Sequence, residues 1–281
     1  MRYKKNICVI MILVLANLPA TAQYLLEPSI RSSSILLKVK NGYGSGFLLT
    51  DTSSSSIFIV TALHVIADDS MSLRSDSIEI VAYRNDTDVD PQIRFRLSMH
   101  GAVKANSLQV DRKNDLAILR FAKFQMLDSF ATLTYPDYIV KLTKNSLIQG
   151  WPSNETVGFN EIQTGSDIFI VGYPRSLGLR SNFDLDRPLY RKGIIAGKNY
   201  SSRRIIGDGA VYFGNSGGMV LAHFFTGKEF AIRLVGLISQ YIPFEEYLFD
   251  SRGERRSLDL KNSGYSVIIP VDFISQLIRK F

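Results

Sequence analysis

From Ile35 to Ile269 the chain repeats one pattern, short runs of β-branched and aromatic residues bounded by Gly, Asn, Asp or Ser. The clearest runs are Ile35–Val39, Ser45–Leu49, Ile57–Thr61, Ile78–Tyr83, Leu116–Phe121, Ile168–Val171, Phe230–Ile238 and Tyr265–Ile269. Val, Ile, Phe and Tyr fit a pleated, half-buried surface, and the turn residues between them punctuate it. No amphipathic helical segments separate the runs. An all-β sandwich or barrel is therefore expected rather than an α/β sheet. One clear helix is predicted at the end of the chain. There Val271, Ile274, Leu277, Ile278 and Phe281 recur at helical spacing, and Asp272 suits a first turn.

Two stretches break the pattern. Residues 123–164 contain Pro136, Pro152 and few clean alternations, and read as a connector between two β halves. Residues 243–262 are crowded with charge and predict a long surface loop. The serines at 53–56 read as a hairpin tip, and the sequence letters show no internal repeat.

The start of the chain has a different character. Arg2, Lys4 and Lys5 precede an apolar run from Ile7 to Ala16, and Ala20-Thr21-Ala22 offers a small-x-small cleavage pattern. That is the layout of a secretory signal peptide over residues 1–22, cut before Gln23. The apolar run is too short for a bilayer, which needs about 20 residues. A soluble product, secreted or periplasmic, is expected. The one cysteine, Cys8, lies inside this leader, so the exported chain is expected to carry no disulfide, thiolate metal site or cysteine nucleophile. The formal net charge of +7 includes three leader residues, and the remaining basic residues are scattered. A nucleic-acid binder would gather them on one element with aromatics between them, so no nucleic-acid partner is expected.

Gly214-Asn215-Ser216-Gly217-Gly218 is the most informative segment. Glycines on both sides let the backbone turn sharply and leave space for a substrate. Such a turn can aim the N–H groups of Gly214 and Ser216 at one point, where an oxyanion would sit. Read alone, the string is equally a glycine-rich hairpin. A serine nucleophile needs a base, and the chain has three histidines, His64, His100 and His223. His64 follows an apolar strand, whereas His100 has no partner motif and His223 reads as an ordinary strand residue. A base in turn needs a carboxylate to orient it. Asp115 abuts the apolar run Leu116–Leu119, and Asp111, four residues earlier, competes with it.

Together Thr61-Ala62-Leu63-His64-Val65, Asn114-Asp115-Leu116-Ala117-Ile118-Leu119 and Gly214-Asn215-Ser216-Gly217-Gly218 resemble the three signature segments of trypsin-like serine proteases, in that family's order. Gly44-Ser45-Gly46-Phe47, Val171-Gly172-Tyr173-Pro174, Gly193-Ile194-Ile195-Ala196, Val235-Gly236-Leu237-Ile238 and the segment around Tyr265 look most like the bacterial HtrA/Deg branch. The resemblance implies an all-β fold of two six-stranded antiparallel barrels, at about residues 30–125 and 165–270. A connector at about 126–164 would join them, and a helix at 271–281 would follow. It implies a protease domain over residues 23–281 and an active site between the barrels, with His64, Asp115 and Ser216 as triad and Gly214 and Ser216 as oxyanion hole. It implies protein or peptide substrates and no cofactor or metal. The position six before the nucleophile, Ala210, would lie at the base of the primary pocket, with Leu237, Ile238 and Ser239 on its wall. Asp208 would reach the pocket only after a register shift. With no charged group there, cleavage after uncharged residues is expected.

The chain also departs from the family. Only the terminal helix follows the last strand, so the PDZ-linked regulation of HtrA proteins does not carry over. Asn215 stands where digestive relatives have an aspartate that pairs with a newly cut N-terminus, so activation by that cleavage is not expected. The separations between the three segments are long for this branch, which places enlarged loops in residues 68–109 and 123–164. An α/β-hydrolase esterase would put its histidine last, after serine and acid, and nothing beyond His223 qualifies. A metalloenzyme would want more ligands than this histidine set and lacks His-Glu-x-x-His. A protease-like binding module without activity is the remaining alternative.

Overall fold

The computed structural model describes residues 28–84, 92–127, 130–139, 149–178, 182–225, 227 and 230–281. The expected leader at 1–22 and residues 140–148 of the expected connector lie outside the described residues. Among the described residues, no helix is long and apolar enough to cross a membrane.

The first sheet comprises β1 (Ser34–Val39), β2 (Gly42–Asp51), β3 (Ser56–Ala62), β4 (Ser77–Tyr83), β5 (Gln92–Ser98), β6 (Leu108–Asp111), β7 (Leu116–Leu127), β8 (Phe130–Thr134) and β9 (Trp151–Pro152). Its order is β5-β4-β1-β2-β3-β7-β6, with β8 on β7 and β9 on β2. The second sheet comprises β10 (Asp167–Gly172), β11 (Leu189–Asn199), β12 (Arg204–Asp208), β13 (Met219–Phe225), β14 (Phe230–Phe249) and β15 (Arg255–Pro270). It closes as a barrel in the order β10-β11-β12-β15-β14-β13. Among the described residues, helical segments accompany the sheets at 28–33 and as α1 (Leu63–Ile66), α2 (Met99–Lys104) and α3 (Val271–Ile278).

Residue choice explains which strands lie where. Every residue of β3, Ser-Ile-Phe-Ile-Val-Thr-Ala, is buried, as befits a strand flanked on both edges by β2 and β7. β5 alternates instead, with Ile93, Phe95 and Leu97 buried between Arg94 and Arg96, which face solvent at the sheet edge. Each buried side chain of that size contributes about 1.5–3 kcal/mol. One core runs through the first sheet into the contact between the two sheets. It joins Phe47 and Val60 with Val171, Met219, Leu237 and Ile269, and with Ile274 and Leu277 of α3. A second fills the closed barrel around Ile168, Ile170, Val220, Val235 and Ile268.

Polar contacts fasten the halves in two further places. On one side the part-buried Asp186 carboxylate accepts bonds from Lys38 Nζ (3.0 Å) and Arg94 Nη2 (2.6 Å) of the first sheet, and from Arg175 Nη1 (2.6 Å). Burial alone would raise the Asp186 carboxyl, but its bonds to Arg175, Arg94 and Lys38 prevail and hold it down to about 2. On the other side α3 touches both halves. Phe281 packs on Phe58 with ring centroids 5.2 Å apart, and its carbonyl accepts from Arg120 Nη2 at 2.7 Å. Asp272, in the first turn of α3, accepts from Phe159 N (2.8 Å) and from Arg203 Nη2 (2.9 Å).

The all-β double barrel and terminal helix are as expected, with three differences. Residues 68–109, expected as an enlarged loop, hold β4, β5, α2 and the start of β6. The first sheet carries nine strands rather than six, and two of them, β8 and β9, come from the stretch read as a connector. That stretch is held by packing: Trp151 is buried and its indole N–H donates to Glu155 O at 2.8 Å, while β9 runs parallel to Leu49–Thr50 of β2. The expected surface loop at 243–262 is instead a continuation of β14 and β15, paired from Pro243 with Asn262 to Phe249 with Arg255. Charged and apolar residues alternate from Leu258 to Lys261 of β15, while Glu245 and Glu246 of β14 sit between Phe244 and Tyr247; a ribbon exposed on both faces can carry both kinds.

Candidate active site

His64 sits in the single turn of α1, directly after β3. Three bonds connect this turn to Asp115. Leu63 N donates to the Asp115 carbonyl (3.0 Å), His64 N to Oδ1 (3.0 Å), and His64 Nδ1 lies 2.8 Å from Oδ2. Asp115 adopts a left-handed backbone, φ +51°, at the tight turn between β6 and β7. Asx residues tolerate that conformation better than most others. Asp111 does not join the site. It accepts from Asn114 N (3.1 Å) and Asn114 Nδ2, and so builds the turn that presents Asp115. Arg204 of β12 braces the same turn from the second barrel, donating to Asn114 Oδ1 (2.9 Å) and to the Lys113 carbonyl (3.1 Å).

Asp115 Oδ2 also accepts from Ser239 Oγ at 2.6 Å. Burial pushes the Asp115 carboxyl up, but the His64 bond and charge, the Ser239 hydroxyl and the His64 backbone N–H together hold it below the usual value. The carboxylate therefore stays ionised and keeps Nδ1 of His64 as the donor, leaving Nε2 as the basic nitrogen.

Ser216 stands at a turn between φ +102° at Gly214 and φ +83° at Gly217. A β-carbon on Gly217 would lie 2.1 Å from the Ser45 carbonyl, and one on Gly214 would lie 2.2 Å from the Tyr173 carbonyl. Both positions thus require glycine for space as well as dihedral. The turn is pinned by Ser45 N to Ser216 O (2.8 Å) and Gly217 N to Ile238 O (2.7 Å). Ser45 Oγ bonds the Gly214 carbonyl (2.6 Å) and receives Tyr173 N (2.8 Å). Asn215 is buried, and its Oδ1 accepts from Tyr212 N at 3.0 Å. Among the described residues, the N–H groups of Gly214 and Ser216 make no bond to another protein group. The Ser216 hydroxyl donates to the Ser239 carbonyl at 3.0 Å.

His64, Asp115, Gly214 and Ser216 line one cleft between the sheets. The expected pocket residues divide. Ile238 and Ser239 line the cleft, together with Val211, Tyr212, Phe213, Gln240, Tyr241, Val267 and Ile269. Ala210 and Leu237 do not; Leu237 is fully buried and pairs with Met219 and Ile269 in the core. Asp208 ends β12 exposed, opposite Ile194 and Tyr265, and does not line the cleft. His100 lies exposed in α2, 3.6 Å from Asp76, and His223 lies against the Phe169 ring (5.4 Å). Sequence reasoning missed three participants: the Ser239 side chain as partner of Asp115, Ser45 beneath the turn, and Arg204. The first has no sequence signal beyond a polar residue in an apolar strand, and the others become visible only through contacts distant in sequence.

Comparison with known proteins bears on the same residues. No curated protein matches the chain. Among solved structures, an inactive serine-to-alanine mutant of Rv3671c from M. tuberculosis H37Rv is similar at 13% identity. That alignment covers 95% of this chain and 91% of the other, with a TM-score of 0.46. The HtrA-type protease AlgW with a bound tripeptide is similar at 16% identity over 91% of this chain and 62% of the other (TM-score 0.49). A double mutant of human heparin binding protein is similar at 13% identity over 90% and 93% (TM-score 0.50). At such identity this last likeness speaks to the fold alone. The profile of the trypsin-like peptidase domain, by contrast, matches residues 44–228, the greater part of the sequence and the stretch that holds all three signature segments, and on that ground the chain belongs to the trypsin-like peptidase family.

Proposed function

We propose that the chain is an exported serine endopeptidase that cleaves polypeptides through an acyl-enzyme. The observation that carries this reading is the bonded chain Ser239 Oγ–Asp115–His64 Nδ1 in the same cleft as Ser216. The reaction class follows from it. Ser216 Oγ attacks the scissile carbonyl as His64 Nε2 takes its proton, and the idle N–H groups of Gly214 and Ser216 receive the oxyanion. His64 then protonates the leaving amine, and water repeats the sequence to free the acyl group. In the structure the serine hydroxyl is held by the Ser239 carbonyl. An extended substrate lying along that wall competes for the same carbonyl with its own N–H, and so releases the hydroxyl toward His64. The turn also has no need of an N-terminal ion pair, since Asn215 bonds within its own loop.

The cleft supports a preference for uncharged residues at the cleaved bond. Its charged lining residues include Lys40, Asp68, Asp69, Arg74 and Lys113 on the first-sheet side and Arg175 and Arg204 on the second-barrel side, the last two already bonded to Asp186 and Asn114; the wall formed by Val211–Phe213, Ile238–Tyr241, Val267 and Ile269 carries none. A charge buried against that wall would lack a partner. A leader over residues 1–22 would deliver the enzyme across a membrane as a secreted or periplasmic protein.

The decisive experiment is covalent labelling by a serine-directed phosphonate. Wild type should label and Ser216→Ala should not, with its thermal unfolding unchanged. Persistent labelling of the variant, or none of wild type, overturns the reading and favours a protease-like binding module. Peptide-library profiling that returned a dominant Arg, Lys or Glu would overturn the specificity.

A further inference from the structure

β14 and β15 run well beyond their neighbours in the second barrel. β13 accompanies β14 only as far as Leu237, and β12 accompanies β15 only from Tyr265 onward. Between Pro243 and Asn262 the two strands pair with each other, leaving a two-stranded arm whose outer edges are unpaired among the described residues.

Partners across a ladder share a face and successive residues alternate, so the register sorts the side chains of the arm. One face carries Glu246 opposite Asp259, both ion-paired to Lys261, and flanks them with exposed Phe244, opposite Lys261, and exposed Leu248, opposite Ser257. The other face places Leu258 opposite Tyr247, Leu260 opposite Glu245, and Phe249 opposite Arg255. It carries two charges of its own: the Arg255 guanidinium stacks 5.0 Å over the Tyr247 ring, and Tyr247 OH donates to Glu245 Oε2 at 2.6 Å. Tyr247, Phe249, Leu258 and Leu260 remain 40%, 63%, 46% and 52% exposed. A lone two-stranded ribbon is marginal in water, and this one presents four exposed apolar side chains on one face, of which Tyr247 is partly covered by Arg255.

Size and position identify what covers that face. Four side chains at this exposure present on the order of 400 Å². Two copies apposed would bury about 800 Å², short of the roughly 1,200 Å² at which stable interfaces begin. The patch suits a weak, transient occupant. It does not itself line the cleft but is continuous with its wall: β14 is one strand from Ile238–Tyr241, which line the cleft, out to Phe249 on the arm. The acyl side of a substrate must lie along this wall, because the leaving amine has to face His64 in the first sheet.

We infer that the arm is a docking site for an extended, apolar segment of the polypeptide substrate, N-terminal to the cleaved bond. The inference rests on the serine-protease reading. At about 3.3 Å per residue, the arm face begins roughly 20 Å beyond Ser239, at the Glu245–Leu260 pair, and meets substrate residues about six to ten positions before the bond.

The test compares two peptides. One spans only the residues next to the cleaved bond; the other adds an N-terminal extension with Leu and Phe about six to ten positions upstream. The variant is Tyr247→Ser/Leu258→Ser/Leu260→Ser, with thermal unfolding as the fold control. The variant should raise KM for the long peptide about tenfold and leave the short one unchanged. Equal changes for both peptides, or none, overturn the inference. Binding of the fluorescent long peptide to full-length Ser216→Ala, with and without the arm substitutions, tests the arm apart from catalysis. Equal affinity overturns the arm even if the enzyme is active, and lost affinity supports it even if the labelling experiment fails. A concentration-dependent dimer that the arm substitutions dissolve makes a second copy the occupant and also overturns it.

Discussion

Ser239→Ala removes one hydroxyl and leaves the backbone of the cleft wall in place. The lost bond, 2.6 Å to Asp115 Oδ2, is charge-assisted, and such bonds contribute about 1.5–3 kcal/mol. Asp115 is 28% exposed at its side chain, so water replaces part of the bond and the loss falls near the lower end of that range. About 1.4 kcal/mol of orientation lost from the Asp115–His64 pair corresponds to a tenfold fall in kcat. KM should hold, because the Ser239 carbonyl that faces the substrate is unchanged. The Asp115 carboxyl, deprived of one of the bonds that lower it, moves upward. A carboxyl depressed in the folded state stabilises the fold above its unfolded value of about 3.8, and that stabilisation disappears as pH falls through the folded value. In the variant it should therefore disappear at a higher pH than in wild type. The assays are steady-state hydrolysis of a short peptide and urea midpoints between pH 3 and 7. A kcat within twofold of wild type, or a loss seen only in KM, would show that the hydroxyl does not orient the pair.

Two further outcomes follow from packing and charge. Asp186→Asn leaves Lys38, Arg94 and Arg175 around an uncharged amide and should cost about 2 kcal/mol at pH 7, read as a lower urea midpoint. With the carboxyl held at about 2, the wild-type advantage should be full above pH 4 and fade toward pH 2; a difference that persists undiminished at pH 2 contradicts it. Gly217→Ala puts a methyl 2.1 Å from the Ser45 carbonyl at φ +83°, so it should abolish phosphonate labelling and lower the melting temperature; normal labelling refutes the tight-turn account.

Strands were legible because alternation and turn residues are local signals. β3 can be read as one continuous apolar run, whereas β5 goes unread inside the stretch 68–109 expected as a loop, because Arg94 and Arg96 alternate with Ile93, Phe95 and Leu97. The arm was not legible either, because its Glu, Asp, Lys and Arg outweighed the short apolar run Tyr247-Leu248-Phe249 and the alternation of Leu258 and Leu260 with Asp259 and Lys261. In the site, a glycine-flanked serine and a scarcity of histidines narrowed the candidates by chemistry alone. Asp111 and Asp115 could not be separated that way, since the choice depends on a left-handed turn and on an arginine from the other barrel. The Asp186 cluster was invisible for the same reason: Lys38 lies 148 residues away in the chain.

The two fastenings between the halves have a mechanical consequence. Asp186 grips the first sheet at the β1, β4 and β5 end of its strand order, and α3 grips it near β6 and β7. Held at both ends, the two halves would resist rotating apart, so on the proposed reading a target would have to enter the cleft as slack chain.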